Sequence, residues 1–542
     1  MALALLRRKY APATRTQRDL SVELNAMFVA KERLLPVYSH DSISGCGTDD
    51  ASRDMAARSE DVYDYAMQIT RNSLAYLASA PKEEYFMYPR YGETISVVNP
   101  LGYGRRSLVE IPMQESRWKD IRHVTAEMDG QHIPVQLVER NGQKFLYAVV
   151  DIAGFSAKHI HLRVAEPPQN EQRVESHQRI IANEFYQVEA QTDGTVKIRD
   201  RRSGAESIAH ILEDQADRGD EYNFDAVNGD QKITHLDKKA KIKVLSEGPV
   251  FSELEIKLDM PIPKGLNPDR QSRSEGMVHT PIRTVVRLAH GIDRVDFTTT
   301  LTNNALDHRL RVRMGIPHAG DTIRAKEPFE VIERPIVPVP GGEDWCEPLP
   351  TATSHQQGML AAGDAVILSN GLPEYEAIPN QDGNIGEVAL TLLRGVGWLS
   401  RDDLSTRKGE AGPITPVEEA QVLGEHTFEY SFSMNGKKSN DELLRMRSDY
   451  RQKLEVGPQY VDLAGVLHIG GSGFEIAALA PSWDRTGAIL RVYNPNDHEA
   501  ILHFTGMFQT AQRCNGREIV QDPENIRSLT LKKGEIATIK FS

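Results

Sequence analysis

The sharpest local arrangement of chemistry-bearing side chains in this 542-residue sequence is His40-Asp41, set in Ser39-His40-Asp41-Ser42-Ile43-Ser44-Gly45. An imidazole at a break between helices, with a carboxylate beside it, can present a metal-binding nitrogen at a pocket mouth. The acid would then orient the ring or meet substrate. A plainer reading is that both residues cap the helix that follows. His159 and His161 form a second candidate pair, on one face of a strand by the two-residue repeat. Two imidazoles leave zinc short of the three or four protein ligands it takes. The run Asp217-Arg218-Gly219-Asp220-Glu221-Tyr222-Asn223-Phe224-Asp225 crowds carboxylates around a tyrosine. Such groups hydrogen-bond sugar hydroxyls and stack on sugar rings, and they equally suit a solvated loop. Asp307-His308-Arg309-Leu310-Arg311 and Leu393-Arg394-Gly395-Val396-Gly397-Trp398 read either as chemistry or as a turn into a strand and a tight glycine bend. No phosphate-binding glycine loop, dinucleotide fingerprint, H-E-x-x-H or G-x-S-x-G is present.

These side chains need elements to hold them. Leu20, Leu24, Met27, Phe28 and Leu34 recur every three or four residues, one apolar stripe on a helix that Pro36 stops. Met55, Val62, Ala66, Ile69, Ser73 and Leu77 make a second stripe, opened by Asp49, Asp50 and Ser52 and closed by Pro81 and Pro89. From Tyr91 the repeat becomes two. Tyr186, Val188 and Ala190 alternate, Thr192 to Thr195 turns the chain, and Val196 and Ile198 resume the alternation. Leu254 to Leu258, Val286 to Leu301 and the C-terminal runs 489–493, 501–504 and 535–541 show the same pattern. Long β regions without helical crossovers imply antiparallel sandwiches. Glu166 to Glu171 reads as a linker, Pro335 to Pro350 as a long excursion, and Asp441 to Leu454 as a charged helix leading to a last β region.

With 64 Lys+Arg against 77 Asp+Glu, the net charge is −13, which argues against a nucleic-acid or anionic-membrane partner. Three scattered cysteines, Cys46, Cys346 and Cys514, form no disulfide framework or C-x-x-C site. No apolar run approaches a membrane span, and Arg7-Arg8-Lys9 follows the opening apolar stretch, the reverse of a secretory signal. A cytoplasmic protein is expected.

Taken in order, several segments resemble glycoside hydrolase family 38, the zinc-dependent α-mannosidases, and within it the bacterial branch that includes mannosylglycerate hydrolase. They are His40-Asp41-Ser42-Ile43-Ser44-Gly45-Cys46, Asn183-Glu184-Phe185-Tyr186, Asp193-Gly194-Thr195, Gly219-Asp220-Glu221-Tyr222-Asn223, Asp307 to Val312 and Leu390 to Gly397. The resemblance spans nearly the whole chain. It implies a mainly β protein with an N-terminal helical segment (1–88), a small β domain (89–168), a large super-sandwich of the galactose-mutarotase-like kind (169–438), and a linker helix with a terminal β domain (439–542). It also implies that His40 is a zinc ligand and that Asp41, Asp220 and Tyr222 meet substrate. The family's catalytic barrel, with an H-x-D zinc pair and an Asp nucleophile, is expected upstream of these residues, and the stretch before His40 is compressed relative to the family. No catalytic residue is therefore expected within the chain, and its zinc site would be shared and incomplete. A retaining glycosidase needs two carboxyl groups about 5–5.5 Å apart, so the chain alone should hydrolyse no mannoside. The expected partners are an α-mannoside or other carbohydrate, a separate barrel polypeptide and a further copy of the chain. The alternative is a non-catalytic carbohydrate-binding or scaffold protein.

Overall fold

The computed structural model describes residues 2–4, 6, 20–78, 92–114, 118, 120–164, 179–338 and 351–542. The expected linker at 166–171, Pro81, Pro89, Cys346 and most of the 335–350 excursion lie outside these residues.

The first apolar stripe is a helix, Ser21–Leu34, continued by a 3₁₀ turn at Leu35–Tyr38 with Pro36 inside it. The second is the long helix Asp49–Leu77, whose N-terminus is capped by the Thr48 hydroxyl accepting the Ala51 N–H at 3.4 Å. Asp49 and Asp50 supply negative charge to its first turn. The two helices do not form a separate core. Leu20, Leu74 and Leu77 are buried together with Val461, Leu490, Phe504 and Phe541 of the C-terminal region.

Three β units follow. In the first, a five-stranded sheet faces the three strands Arg105–Pro112, Gln143–Ile152 and Val135–Arg140 over a core of Val97, Val109, Ile111, Leu146 and Ile160. In the second, a nine-stranded, a six-stranded and a four-stranded antiparallel sheet share one core. The expected hairpin lies there, Tyr186–Ala190 paired with Val196–Asp200 in the register Ala190 opposite Val196. Strand Val295–Asn303 alternates strictly between buried and half-buried residues, the mark of one face on the core. Strand Ile211–Ala216, by contrast, is buried at every residue. Its Glu213 and Asp214 are tolerated there because Arg311 and Arg313 pair with the first and Arg273 and His308 with the second.

The third unit packs a three-stranded on a four-stranded sheet between Leu467 and Phe541. It is reached through the linker helix Asn440–Arg451, which begins with Ser439 and Glu442 as a capping box. The chain then makes one unexpected visit. Glu455–Gly457 adds itself as an edge strand to the first β unit, beside Gly92–Val98, before the terminal sandwich starts.

Candidate functional site

His40 opens a one-turn helix, His40–Ser44, closed by Gly45 at φ +77°, a backbone shape that glycine adopts without strain. The turn is tied by the Cys46 N–H donating to the Asp41 carbonyl at 2.9 Å. The His40 side chain is 94% exposed and its Nε2 lies 3.4 Å from Oδ1 of Asp41, itself 59% exposed. Cys46, just beyond, is buried, and burial pushes its thiol pKa up.

The far side of this turn rests on the Asp217–Asp225 loop. The Gly47 N–H donates to Oε2 of Glu221 at 2.9 Å, and the Cys46 thiol lies 3.7 Å from the Glu221 carbonyl. A second fastening follows, because the Asp49 carboxylate accepts the backbone N–H groups of Glu418 (3.0 Å) and Glu419 (3.2 Å). Arg53 pairs with both Glu419 and Asp50. Gly45, Asp49, Arg53, Glu221, Arg394 and Glu419 thus line a cavity of about 440 Å³ between the long helix and the super-sandwich.

The loop itself is built around three inward carboxylates. Asp217 accepts the Gly219 N–H at 2.8 Å and the Asp225 N–H at 3.2 Å, and pairs with Arg394. Asp220 is fully buried. Its Oδ1 accepts the N–H groups of Tyr222 (3.1 Å) and Asn223 (2.9 Å), and its Oδ2 those of Arg401 (2.9 Å) and the Arg407 guanidinium (2.6 Å). Asp225 takes Nε of Arg218 at 2.8 Å and the Ser405 N–H at 2.9 Å. At Gly219 a Cβ would sit 1.9 Å from the Asn223 carbonyl, so only glycine closes this turn. Arg394 also donates to the Asp220 carbonyl at 2.6 Å, and the Glu221 N–H donates to the Trp398 carbonyl at 3.1 Å.

The segments 40–47, 217–225 and 393–398 therefore meet, and Asp307 joins them through its carbonyl, 3.0 Å from the Asp217 N–H. The expected residues fall in different places. Asp41 and His40 stand on the outer rim. Tyr222 is half-buried, with Arg407 5.9 Å from its ring centre and its hydroxyl against Gly412, and burial raises its pKa. Asp220 offers no open oxygen to a ligand: its carboxylate organises the loop. His159 and His161 do share one strand face, but each ring is engaged, His159 with the Val461 carbonyl (3.1 Å) and His161 with the Thr94 hydroxyl (2.9 Å).

Glu221 was not singled out from the sequence. Burial lifts its carboxyl pKa to about 7, with Asp49 and Asp220 adding negative charge nearby. The only hint in the sequence was its place between Asp220 and Tyr222. His40 and Asp41 give two donors at most, and no cluster of three His, Cys, Asp or Glu suited to a metal occurs among the described residues. These residues do not make up a zinc shell by themselves.

Residues 181–400, which contain the loop and its Arg394 clasp, match the family described as "Glycosyl hydrolases family 38 C-terminal domain". That segment is similar to the C-terminal domain of glycosyl hydrolase family 38. Over 417 residues the chain is 24% identical to a protein named "Putative mannosylglycerate hydrolase" from Halalkalibacterium halodurans, a match covering 69% of this chain and 44% of that protein. The fold is that of a crystal structure titled as an alpha-mannosidase from Enterococcus faecalis V583 (TM-score 0.80, 22% identity), which it matches over 100% of this chain and 65% of that one. A second family 38 structure from Enterococcus faecalis agrees equally well (TM-score 0.79, 22% identity, 100% of this chain and 68% of that one). The chain thus spans less than half the length of the curated relative and about two thirds of these solved chains. Residues 181–400 are preceded in the chain by the helices that carry His40 and the first β unit, and followed by the linker helix and the terminal sandwich. No helix among the described residues is long and apolar enough to cross a membrane.

Proposed function

We propose that this chain is the carboxy-terminal portion of a retaining α-mannosidase, acting on α-mannosides of which mannosylglycerate is one, and inactive without a catalytic barrel. The observation that carries the reading is the seating of the His40–Cys46 turn on Glu221. It joins two motifs far apart in sequence into one rim, with an exposed imidazole and carboxylate at its lip. In this reading His40 lends one nitrogen to a zinc ion whose remaining ligands come from the barrel. Asp41 and the Tyr222 ring face the sugar, while Asp220 acts through them by holding the loop.

Two features support a partner on this side. His40 projects into solvent, and Leu35, Tyr38, Ile43 and Tyr63, all on the same helical segment, are exposed large apolar residues. A cytoplasmic setting belongs to the same reading, supported by Cys46 and Cys514 being free buried thiols. Self-association through this apolar surface is expected when the barrel is missing.

The test is production of the chain alone and together with a barrel polypeptide bearing an H-x-D pair, followed by zinc analysis and turnover of an aryl α-mannoside. The chain alone should hold little zinc and show no turnover, and the pair should do both. Turnover by the chain alone would overturn the proposal. Sugar binding without any rate from the pair would move the protein to the carbohydrate-binding reading.

A further inference from the structure

We infer that the terminal β-sandwich carries a pyranoside-binding platform centred on Trp483, independent of the rim around His40. The indole is 73% exposed, although a tryptophan in a folded chain is ordinarily covered over most of its surface. Its loop is nevertheless firmly built. The Ser482 N–H donates to the Gly487 carbonyl at 2.9 Å, and the Arg485 N–H to the Ser482 carbonyl at 2.9 Å. The Asp484 carboxylate accepts the Ser482 hydroxyl (2.7 Å) and the Thr486 N–H (3.1 Å), and it pairs with Lys540. The Trp483 N–H is held by Oε2 of Glu518 at 2.6 Å. An exposed aromatic ring on a loop fixed this way loses little conformational freedom when it meets a ligand.

The surroundings suit a sugar. Phe28 of the first helix meets the indole edge-to-face, at 5.1 Å between centroids and 84° between planes. Arg485 and Lys31 lie 5.0 and 5.7 Å from the centre of the Phe28 ring, and Arg485 donates to the Asn25 side chain at 2.9 Å. Beside the indole, Phe28 thus carries two cations, one of them held by the Asn25 amide, and the Glu518 carboxylate holds the Trp483 backbone. A pyranose ring needs this pairing: a flat aromatic surface for its C–H face, with donors and acceptors at the edge for its hydroxyls. A lipid surface or a large protein interface would be met better by a continuous apolar patch.

The experiment uses the full chain with methyl α-mannoside and an α-linked mannotriose, read by saturation-transfer NMR and by iodide quenching of tryptophan fluorescence. Both glycosides should receive saturation and shield the exposed indole from iodide. Trp483→Ala should weaken binding about tenfold or more, as expected for loss of a stacking contact, and Trp483→Phe should weaken it less. Thermal unfolding of each variant checks that the fold is kept. Binding should persist in His40→Ala and Tyr222→Ala, which separates this platform from the rim. Absence of saturation transfer, or equal binding by Trp483→Ala, would overturn the proposal. So would a change in oligomeric state as the only effect of that substitution, which would make Trp483 an interface residue.

Discussion

The two halves of the rim are built in opposite ways. The Asp217–Asp225 loop turns three carboxylates inward and saturates them, and Asp220 has no accessible surface at all. The His40–Ser44 turn does the reverse: none of its residues is buried, and its ionisable pair faces water. One half is a rigid platform whose charges are spent on its own shape, and the other turns the His40 imidazole and the Asp41 carboxylate outward. Inward charge fixes geometry, whereas outward charge stays open to solvent and to whatever meets that surface. Glu221 lies at the join and takes part in both.

The sharpest way to break this contrast is Asp220→Ala. It strands the buried Arg407 guanidinium and frees three loop N–H groups, and should cost about 3–5 kcal/mol in denaturant unfolding. A loss below about 1 kcal/mol would mean that the loop does not depend on its carboxylates.

Glu221→Gln probes the join through pH. The wild-type carboxyl is protonated more readily in the folded chain, where burial raises its pKa to about 7, than in the unfolded one. Its contribution is fully present below the ordinary glutamate pKa and is lost as pH rises through about 7. The variant lacks that loss, so thermal unfolding should show it gaining on wild type by about 1–2 kcal/mol between pH 5 and pH 8, allowing for solvent screening of a half-exposed group. A pH-independent difference would remove Glu221 from its buried place.

Gly45→Ala meets no neighbouring atom within 4 Å, so only its left-handed backbone resists. It should cost about 1 kcal/mol, measured by chemical unfolding. Smallest of all, His40→Ala should shift the stability of the isolated chain by no more than about 0.5 kcal/mol, because nothing is buried or tightly bonded there. Under the proposed function its effect falls instead on zinc retention and turnover when a catalytic barrel is supplied. A large stability loss on its own would make His40 a capping residue and nothing more.

Much of the fold was legible because its signals are local. The apolar stripes through Leu24 and Ile69 became helices, and the turn at Asp193-Gly194 sits where the alternation breaks. The segments around His40, Glu221 and Arg394 could be picked out singly, and their common order in a known family brought them together. What stayed hidden was long-range. Asp220, Glu221 and Asp225 are chemically alike in sequence, and only partners such as Arg394, Arg401, Arg407 and Ser405, more than 160 residues further on, decide which is neutralised and which is left proton-sensitive. The merging of Leu74 and Leu77 with Phe541 was equally invisible, since an apolar stripe does not name the surface that covers it.

The three-residue strand at Glu455–Gly457 has a consequence for anyone dissecting this protein. It stitches the polypeptide back into the first β unit, and the Ala78–Val461 bridge with the Asp462 N–H on the Leu77 carbonyl (3.1 Å) then fastens it to the end of the long helix. A knife placed at 439 would leave the earlier piece with a naked sheet margin and the later one with a torn lead-in, so the terminal sandwich is better regarded as a clamp on everything before it than as a detachable appendix.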